Sequence, residues 1–336
     1  MIDGNDDDQG RLYRIPNRES TANTVVGAVD LGSNTFRLLI GRMDGSRVIP
    51  LVREMVPVRL GEGLGRTGRI GDPALARARE VLAGFRALID HHRPRAVRAC
   101  GTAALRLAAN REQLAAEAAA ILDCRVEVID GAEEARLSVA GAVAAMRDPA
   151  PGPMWLADVG GGSTELILAQ RTSEPQPAIM ALHSVAMGAV NLTEGFLKAE
   201  RPTRDELAAL TSHVEATLAP LLRAASPAGR LVGMGGTATA LAGLDCGLAL
   251  YDPDRIQDHV LSAMRLDTLL ARLAGLTAAQ RNLLPGLDRG RGEIIIGGLL
   301  IFRALLKRLG FTQMQVSDGG LPEGILLAAA DENRAN

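Results

Sequence analysis

Two short stretches of this sequence combine acidic, glycine and hydroxyl residues at one spacing. Asp30-Leu-Gly-Ser-Asn-Thr-Phe-Arg-Leu-Leu-Ile40 aligns without gaps on Asp158-Val-Gly-Gly-Gly-Ser-Thr-Glu-Leu-Ile-Leu168. Each reads as an apolar strand, an Asp, a Gly-rich turn with a hydroxyl, and a second apolar strand. Turns without bulky side chains let backbone N–H groups converge on anionic oxygens. Gly160, Gly161, Gly162 and Ser163 form one candidate phosphate cradle; Gly32, Ser33, Asn34 and Thr35 form the other. Two copies 128 residues apart suggest a duplicated domain, each half offering one phosphate-holding hairpin.

Acidic residues flank these turns. Asp158 and Glu165 would repel a polyanion unless a divalent cation sits between them and it. Mg²⁺ suits that place, because it takes a few carboxylates together with water and phosphate oxygens. Asp30 holds the equivalent position in the first hairpin, where it suits metal or water. Arg37 occupies an alternating strand position that fits either the cleft or solvent. Arg106 follows a strand and a turn; a guanidinium there can grip two phosphate oxygens, or simply lie on the surface. Glu133 and Glu134 begin a helix after Gly131, where acids complement the helix dipole. The five histidines have no metal-binding spacing. There is no Walker A motif, and neither Gly-rich turn is the GxGxxG of a dinucleotide site.

The elements that would position these groups alternate. Strand-like runs are expected near 25–29, 95–100, 125–129, 154–158, 164–169, 179–186, 230–233 and 313–317. Helical patterns lie near 73–92, 110–122, 132–146, 204–224, 236–245, 265–274 and 290–309. Such alternation predicts an α/β fold. Residues 1–23 read as a polar, flexible arm. The turn cluster Arg147-Asp-Pro-Ala-Pro-Gly-Pro153 marks a boundary. A length of 336 residues fits two domains. No apolar run approaches the ~20 residues that span a bilayer. The acidic start, Met-Ile-Asp-Gly-Asn-Asp-Asp-Asp, is unlike a signal peptide. Cys100, Cys124 and Cys246 lack CxxC spacing and argue for a reducing compartment, hence a cytoplasmic protein. A net charge of −2 argues against general nucleic-acid binding. Lys198 and Lys307 are the only lysines, so phosphate contacts fall to Arg or backbone amides.

An ordered series of motifs resembles the exopolyphosphatase and guanosine pentaphosphatase (Ppx/GppA) family of the actin and sugar-kinase superfamily. It runs through Ala28-Val-Asp-Leu-Gly-Ser-Asn-Thr35, Val58-Arg-Leu-Gly-Glu-Gly-Leu64 and Gly101-Thr-Ala-Ala-Leu-Arg106 with Asn110. It continues through Ile129-Asp-Gly-Ala-Glu-Glu-Ala-Arg-Leu137, Asp158-Val-Gly-Gly-Gly-Ser-Thr-Glu-Leu166, Gly233-Met-Gly-Gly-Thr-Ala-Thr239 and Val316-Ser-Asp-Gly-Gly-Leu321. Together these cover roughly residues 24–330.

The resemblance implies two actin-like (ribonuclease H-like) domains around a cleft. Residues 24–137 with a returning segment 316–336 would form the first, and 138–315 the second. Longer family members carry a further helical HD domain, for which this chain is too short. The resemblance makes Glu134, directly before Ala135, the catalytic base. It gives Asp158 and Glu165 a metal role toward Mg²⁺ (or Mn²⁺), and Arg106 a phosphate-binding role. The reaction it implies is release of orthophosphate from the end of inorganic polyphosphate. Hydrolysis of guanosine pentaphosphate to the tetraphosphate uses the same site and is the alternative; a non-catalytic polyphosphate or alarmone sensor is a further one. A homodimer is expected, and the charge and the lack of a long apolar run imply no nucleic-acid or membrane partner. Two positions depart from the family pattern: Pro322 and Asn191 stand where an Arg is expected. Gly233-Met-Gly-Gly-Thr237 resembles the adenosine turn of the superfamily's kinases and is read as structural, at the cleft wall.

Overall fold

The computed structural model describes residues 24–44, 47–147, 150–172, 177–222, 229–287 and 290–335. The arm expected over 1–23 lies outside the described residues. The first half comprises strands β1 (Val25–Leu31), β2 (Thr35–Asp44), β3 (Arg47–Pro57), β4 (Ala96–Gly101) and β5 (Val126–Val128). Helices α1 (Leu64–Thr67), α2 (Asp72–His92), α3 (Ala103–Leu107) and α4 (Arg111–Leu122) lie between them, and α5 (Gly131–Ala145) follows. The sheet order is β3-β2-β1-β4-β5. β1, β2 and β3 form an antiparallel meander, while β4 and β5 add in parallel.

β1 reads as a continuous apolar run because it is covered on both faces. Its period of two sorts the side chains. Val29 and Leu31, with Phe36, Leu38 and Ile40 of β2, meet α2 and α4 through Leu75, Leu82, Phe85 and Leu114. Val26 and Ala28, with Leu39, turn the other way, toward Leu321, Ile325 and Leu326 near the C-terminus.

The second half repeats the plan. Its elements are β6 (Gly152–Val159), β7 (Thr164–Arg171), β8 (Ala178–Val185), α6 (Ala189–Phe196), α7 (Arg204–Leu218), β9 (Arg230–Met234), α8 (Gly235–Cys246) and α9 (Pro253–Ile256). They continue with β10 (Val260–Ser262), α10 (Ala263–Ala274), α11 (Ala278–Arg281), α12 (Arg291–Leu309) and β11 (Gln313–Val316), after which the chain ends in α13 (Leu321–Ala335). The sheet order is β10-β11-β9-β6-β7-β8. β6, β7 and β8 are an antiparallel meander, and β9 and β11 add in parallel. α12 is buried along most of its length, through Ile295, Leu299, Phe302 and Leu306. It ends at Gly310, whose φ of 73° is the left-handed cap that a Gly accepts, with Lys307 and Arg308 in its last turn.

The gapless alignment of the two hairpins is also their geometric register. Asp30 pairs with Arg37 and Leu31 with Phe36; Asp158 pairs with Glu165 and Val159 with Thr164. α13 returns to the first half, while α5 lies on the second sheet, with Ala135, Val139 and Ala142 against Leu156, Ile167 and Val232. α13 packs against α5 and against β1, β2 and β4. At its crossing with α5 the backbones touch: a Cβ on Gly141 would overlap the Gly320 carbonyl, and one on Gly324 the Leu137 carbonyl.

Several expectations need adjustment. The helix expected over 204–224 ends at Leu218, where a turn follows. β3 and α13 have no counterpart among the expected elements. β3 is an edge strand with many exposed residues and no clean alternation. α13 begins with Leu-Pro-Glu-Gly, which looks like a turn, although Pro is well tolerated in a first helical turn.

Candidate active site

The two Gly-rich turns begin at Asp30 and Asp158, which lie close enough for Asp30 to affect the ionisation of Asp158, and Arg37 and Asp158 line one cleft. The Ser33 carbonyl accepts from Gly61 N–H (2.8 Å), and the Asn34 carbonyl from Val58 (2.9 Å) and Arg59 (2.8 Å). Ser33 Oγ accepts from the N–H of Ala104 at 3.1 Å, where α3 begins. In the second turn the carbonyls of Gly160 and Gly161 accept from Ala189 (2.9 Å) and Val190 (2.8 Å), in the first turn of α6. Asn191 Nδ2 donates to the Gly162 carbonyl at 3.0 Å, and Asn191 Oδ1 accepts from Gly188 N–H. Asn191 therefore ties α6 to the turn instead of presenting a cation. The turns' carbonyls are thus drawn into the protein. The N–H groups of Ser33, Asn34, Gly161 and Gly162 have no partner among the described residues.

Carboxylates gather between the turns. Asp30 is 2% exposed; its Oδ2 accepts from Arg37 Nη1 at 3.3 Å, while Oδ1 has no hydrogen-bond partner among the described residues. Burial pushes its carboxyl up to about 6; Arg37 opposes the shift and Glu134 adds to it. Burial likewise raises Asp158 to about 6, with Arg37 and Arg291 pulling down and Glu134 and Asp30 pushing up. Glu165 is raised to about 7 by burial and then by Asp158, despite hydrogen bonds from Ser163 and Ser184. Carboxylates that resist ionisation together mark a place short of positive charge.

The neighbouring glutamates on α5 point apart. Glu134 accepts from Arg106 Nη1 at 2.6 Å, and the same nitrogen donates to the Ile129 carbonyl at 3.0 Å. Glu133 is held by both Nε and Nη2 of Arg136 at 2.7 Å, which keeps its carboxyl below the usual range. The helix is started by Asp130, whose side chain accepts from Glu133 N–H. Glu134 thus faces the cleft beside Asp30 and Asp158, and Glu133 faces away.

The Gly233–Thr237 segment closes the cleft wall. Gly235 has φ 76°, and a Cβ there would overlap Asp158 Oδ1. A Cβ on Gly236 would overlap the guanidinium of Arg291. Thr237 Oγ1 donates to the Val159 carbonyl at 2.6 Å, fixing α8 to the end of β6. A cavity of about 240 Å³ runs from here, lined by Arg37, Asp158, Gly236, Arg53, Tyr251 and Asp318. Pro322 also lines it, early in α13. A larger depression of about 430 Å³ between β3 and α2 contains none of the candidate residues and is lined by Val56, Val81, Phe85 and Leu88 among others.

The structure thus brings Ser33, Asn34, Thr35, Arg106, Glu134, Asp158, Gly160, Gly161, Gly162, Ser163 and Glu165 to one cleft, on β1–β2, α3, α5 and β6–β7. Arg37 turns toward the cleft through its contact with Asp30. Arg291 went unseen in the sequence because it lies in an ordinary helix start, Gly-Arg-Gly-Glu, and only the packing of α12 on α8 brings it to Asp158. The small residue at Gly236, across from it, was the available signal. Neither lysine contributes: Lys307 pairs with Glu215, and Lys198 Nζ donates to the Glu194 carbonyl.

Such a site can hold a phosphate chain by amides and guanidinium groups, and can aim a water with a carboxylate. Among the described residues no group of three or more His, Cys, Asp or Glu is arranged to hold a metal by itself. Asp158 and Glu165, directly opposite each other on β6 and β7, are a two-carboxylate set.

Relatives bear on this geometry. The Ppx/GppA phosphatase family matches residues 39–333. Exopolyphosphatase 2 of Mycobacterium tuberculosis is 35% identical over 322 residues, which cover 91% of this chain and 99% of that protein. A guanosine-5'-triphosphate,3'-diphosphate pyrophosphatase of Aliivibrio fischeri is 29% identical over 94% of this chain and 61% of that protein. Among solved structures, the Aquifex aeolicus Ppx/GppA family member has a TM-score of 0.80 at 27% identity, covering 92% of this chain and 98% of the other. An exopolyphosphatase from Cytophaga hutchinsonii has a TM-score of 0.79 at 28% identity, with the same coverage of both chains. On this evidence the chain, with its two sheets meeting at an actin-like cleft, belongs to the Ppx/GppA phosphatase family.

Proposed function

We propose that this protein is an exopolyphosphatase that removes terminal orthophosphate from inorganic polyphosphate with the help of a divalent cation. The observation that carries the reading is the pair of Gly-rich turns beside the shared carboxylates. Their amides, without partners among the described residues, flank a site where Glu134 adds to the ionisation cost of both Asp30 and Asp158. A terminal phosphate would lie against Ser33, Asn34, Thr35 and Gly160–Ser163, with Arg106 and Arg291 drawing on its oxygens. Glu134 would orient the attacking water in line and take its proton; for a weak base, placement matters as much as proton affinity.

The donor set fits Mg²⁺ or Mn²⁺. Two carboxylates, Asp158 and Glu165, leave most of the coordination to water and phosphate oxygens, which is how Mg²⁺ is commonly held. Asp30 Oδ1, buried without a partner among the described residues, supports a cation or ordered water nearby. When bound, the cation supplies positive charge to the phosphate oxygens.

Hydrolysis of guanosine pentaphosphate is the second reading. The Aliivibrio fischeri relative and the 240 Å³ cavity beyond Asp158 favour it. To the same proposal belong the division into 24–137 with 316–336 and 138–315 as the working lobes, a homodimeric assembly, and a cytoplasmic location. No described helix is long and apolar enough to cross a membrane.

Phosphate release from long polyphosphate, short polyphosphate and guanosine pentaphosphate, each with Mg²⁺ or with excess chelator, tests the reading. The expected result is fastest release from polyphosphate and none with chelator. Preference for guanosine pentaphosphate would exchange the two readings. Binding without release from any of the three would make the chain a sensor.

A further inference from the structure

The second sheet carries a row of oxygen-bearing side chains one strand wider than its carboxylate pair. Asp158 on β6 pairs with Glu165 on β7, and Glu165 pairs with Ser184 on β8. Residues directly opposite one another on neighbouring strands share a face of the sheet. Two residues further along each strand, the same face presents Leu156, Ile167 and Leu182. That apolar row packs with Ala135 and Val139 of α5. Asp158, Glu165 and Ser184 therefore lie on the face that α5 covers, one step nearer the Gly160–Ser163 turn. Glu134, in the first turn of α5, is close enough to add to the charge cost of both Asp158 and Glu165.

Ser184 is more than the next residue in the row. Its Oγ donates to Glu165 Oε1 at 3.1 Å, and Ser163, at the end of the turn, also hydrogen-bonds this carboxylate. Glu165 differs in this from its neighbours in the cleft. Asp30 is held by Arg37, and Glu134 by Arg106. Glu165 is held by hydroxyls and has no ion pair among the described residues. A guanidinium fixes a carboxylate and offsets its charge at the same time. A hydroxyl fixes it and leaves the negative charge to attract something else. A carboxylate offers about four acceptor positions, so two hydroxyl donors leave room on Glu165 for a cation.

On the reading that Asp158 and Glu165 hold the divalent cation, we propose that Ser184 is the positioning residue of that site. Its hydroxyl holds Glu165 in the orientation in which the two carboxylates together take Mg²⁺ or Mn²⁺. Hydrogen bonds to a ligating carboxylate fix it before the metal arrives, and losing one commonly costs 10–100-fold in metal affinity. Ser184 is exposed, so truncating it to Ala opens no cavity in a core. Thr at the same place keeps the hydroxyl and suits a strand.

The test titrates metal-free protein with Mn²⁺ and reads the free ion by electron paramagnetic resonance. Ser184→Ala should weaken Mn²⁺ binding about 10–100-fold, and Ser184→Thr should bind nearly as the parent does. Without metal, the parent and Ser184→Ala should melt together; added Mn²⁺ should raise the parent's melting temperature more, because a ligand stabilises in proportion to its occupancy. The Mn²⁺ concentration for half-maximal phosphate release from polyphosphate should rise in Ser184→Ala by the same factor as the dissociation constant. If Ser184→Ala binds Mn²⁺ as the parent does while Asp158→Asn binds it weakly, the role of Ser184 is overturned and the cation site stands. An equal loss in Ser184→Thr and Ser184→Ala overturns it as well, since the hydroxyl is then not the cause. A parent that takes up no Mn²⁺ overturns the cation site itself, and the role of Ser184 with it.

Discussion

Adjacent residues on a helix point about 100° apart, and that rotation separates Glu134 from Glu133. Glu134 meets Arg106 in the cleft, and Glu133 meets Arg136 outside it. Glu134→Gln should lower turnover about 10²–10⁴-fold, the usual range for a lost general base, with substrate affinity kept or improved. Glu133→Gln should leave turnover nearly intact and cost only the ~0.2–1 kcal/mol of a partly exposed ion pair. Steady-state kinetics and thermal melts of both variants check this; an inactive Glu133→Gln beside an active Glu134→Gln would move the base by one residue. The carboxyls of Asp30, Asp158 and Glu165 titrate above their ordinary range, at about 6, 6 and 7. Each therefore binds its proton more tightly in the folded chain than in the unfolded one. Their ionisation penalty is absent below about pH 4, grows as pH rises through the folded values, and is complete above about pH 7. Without divalent cations, Asp158→Asn should melt higher than the parent at pH 8 and lose that advantage by pH 4, while turnover is lost. Added Mg²⁺ should raise the parent's melting temperature more at pH 8 than at pH 5. A parent that melts higher than Asp158→Asn at pH 8 without metal would show that the charge is already compensated.

Elements were legible in the sequence to the degree that their signals were local. The two hairpins announce themselves through Asp, Gly and hydroxyl residues at a fixed spacing, and their shared register follows. The long helices show apolar periodicity. β3 gives no such signal, since an edge strand need bury little and carries Arg53 and Glu54 amid its apolar residues. Among the residues at the cleft, those within the turns were readable because turn chemistry is local. Arg37 was ambiguous because alternation fixes a face without saying what lies across it. Arg291 was invisible because its place depends on α12 packing against α8. That packing can be tested at Gly236, where an added Cβ meets only the end of the Arg291 side chain. Gly236→Ala should keep the fold and displace the guanidinium. Losing one charge-assisted phosphate contact costs about 1.5–3 kcal/mol, so KM should rise roughly tenfold or more, as it should in Arg291→Ala. Unchanged KM and turnover in both variants would remove Arg291 from the substrate's contacts.

At the scale of the molecule, each half has its own sheet and apolar core, and the chain passes between them beside α5 and again before α13. These passages lie together: Ser317 Oγ donates to the Ala142 carbonyl at 3.0 Å, and Gly141, Gly319 and Gly324 bring the two helices into backbone contact. An added methyl has no room at this crossing. Gly141→Ala should lower stability by about 1–3 kcal/mol, the usual cost of overpacking, as read by denaturant unfolding; no loss would mean the helices separate freely. The crossing also has a mechanical consequence. Interlocked side chains act as gear teeth and resist turning, whereas bare backbone against bare backbone is a bearing. With both passages of the chain at that bearing, one axis suffices for rotation of one sheet against the other. Such a rotation would swing Asp158 relative to Asp30 like opposite jaws of a clamp while every strand pairing stays intact.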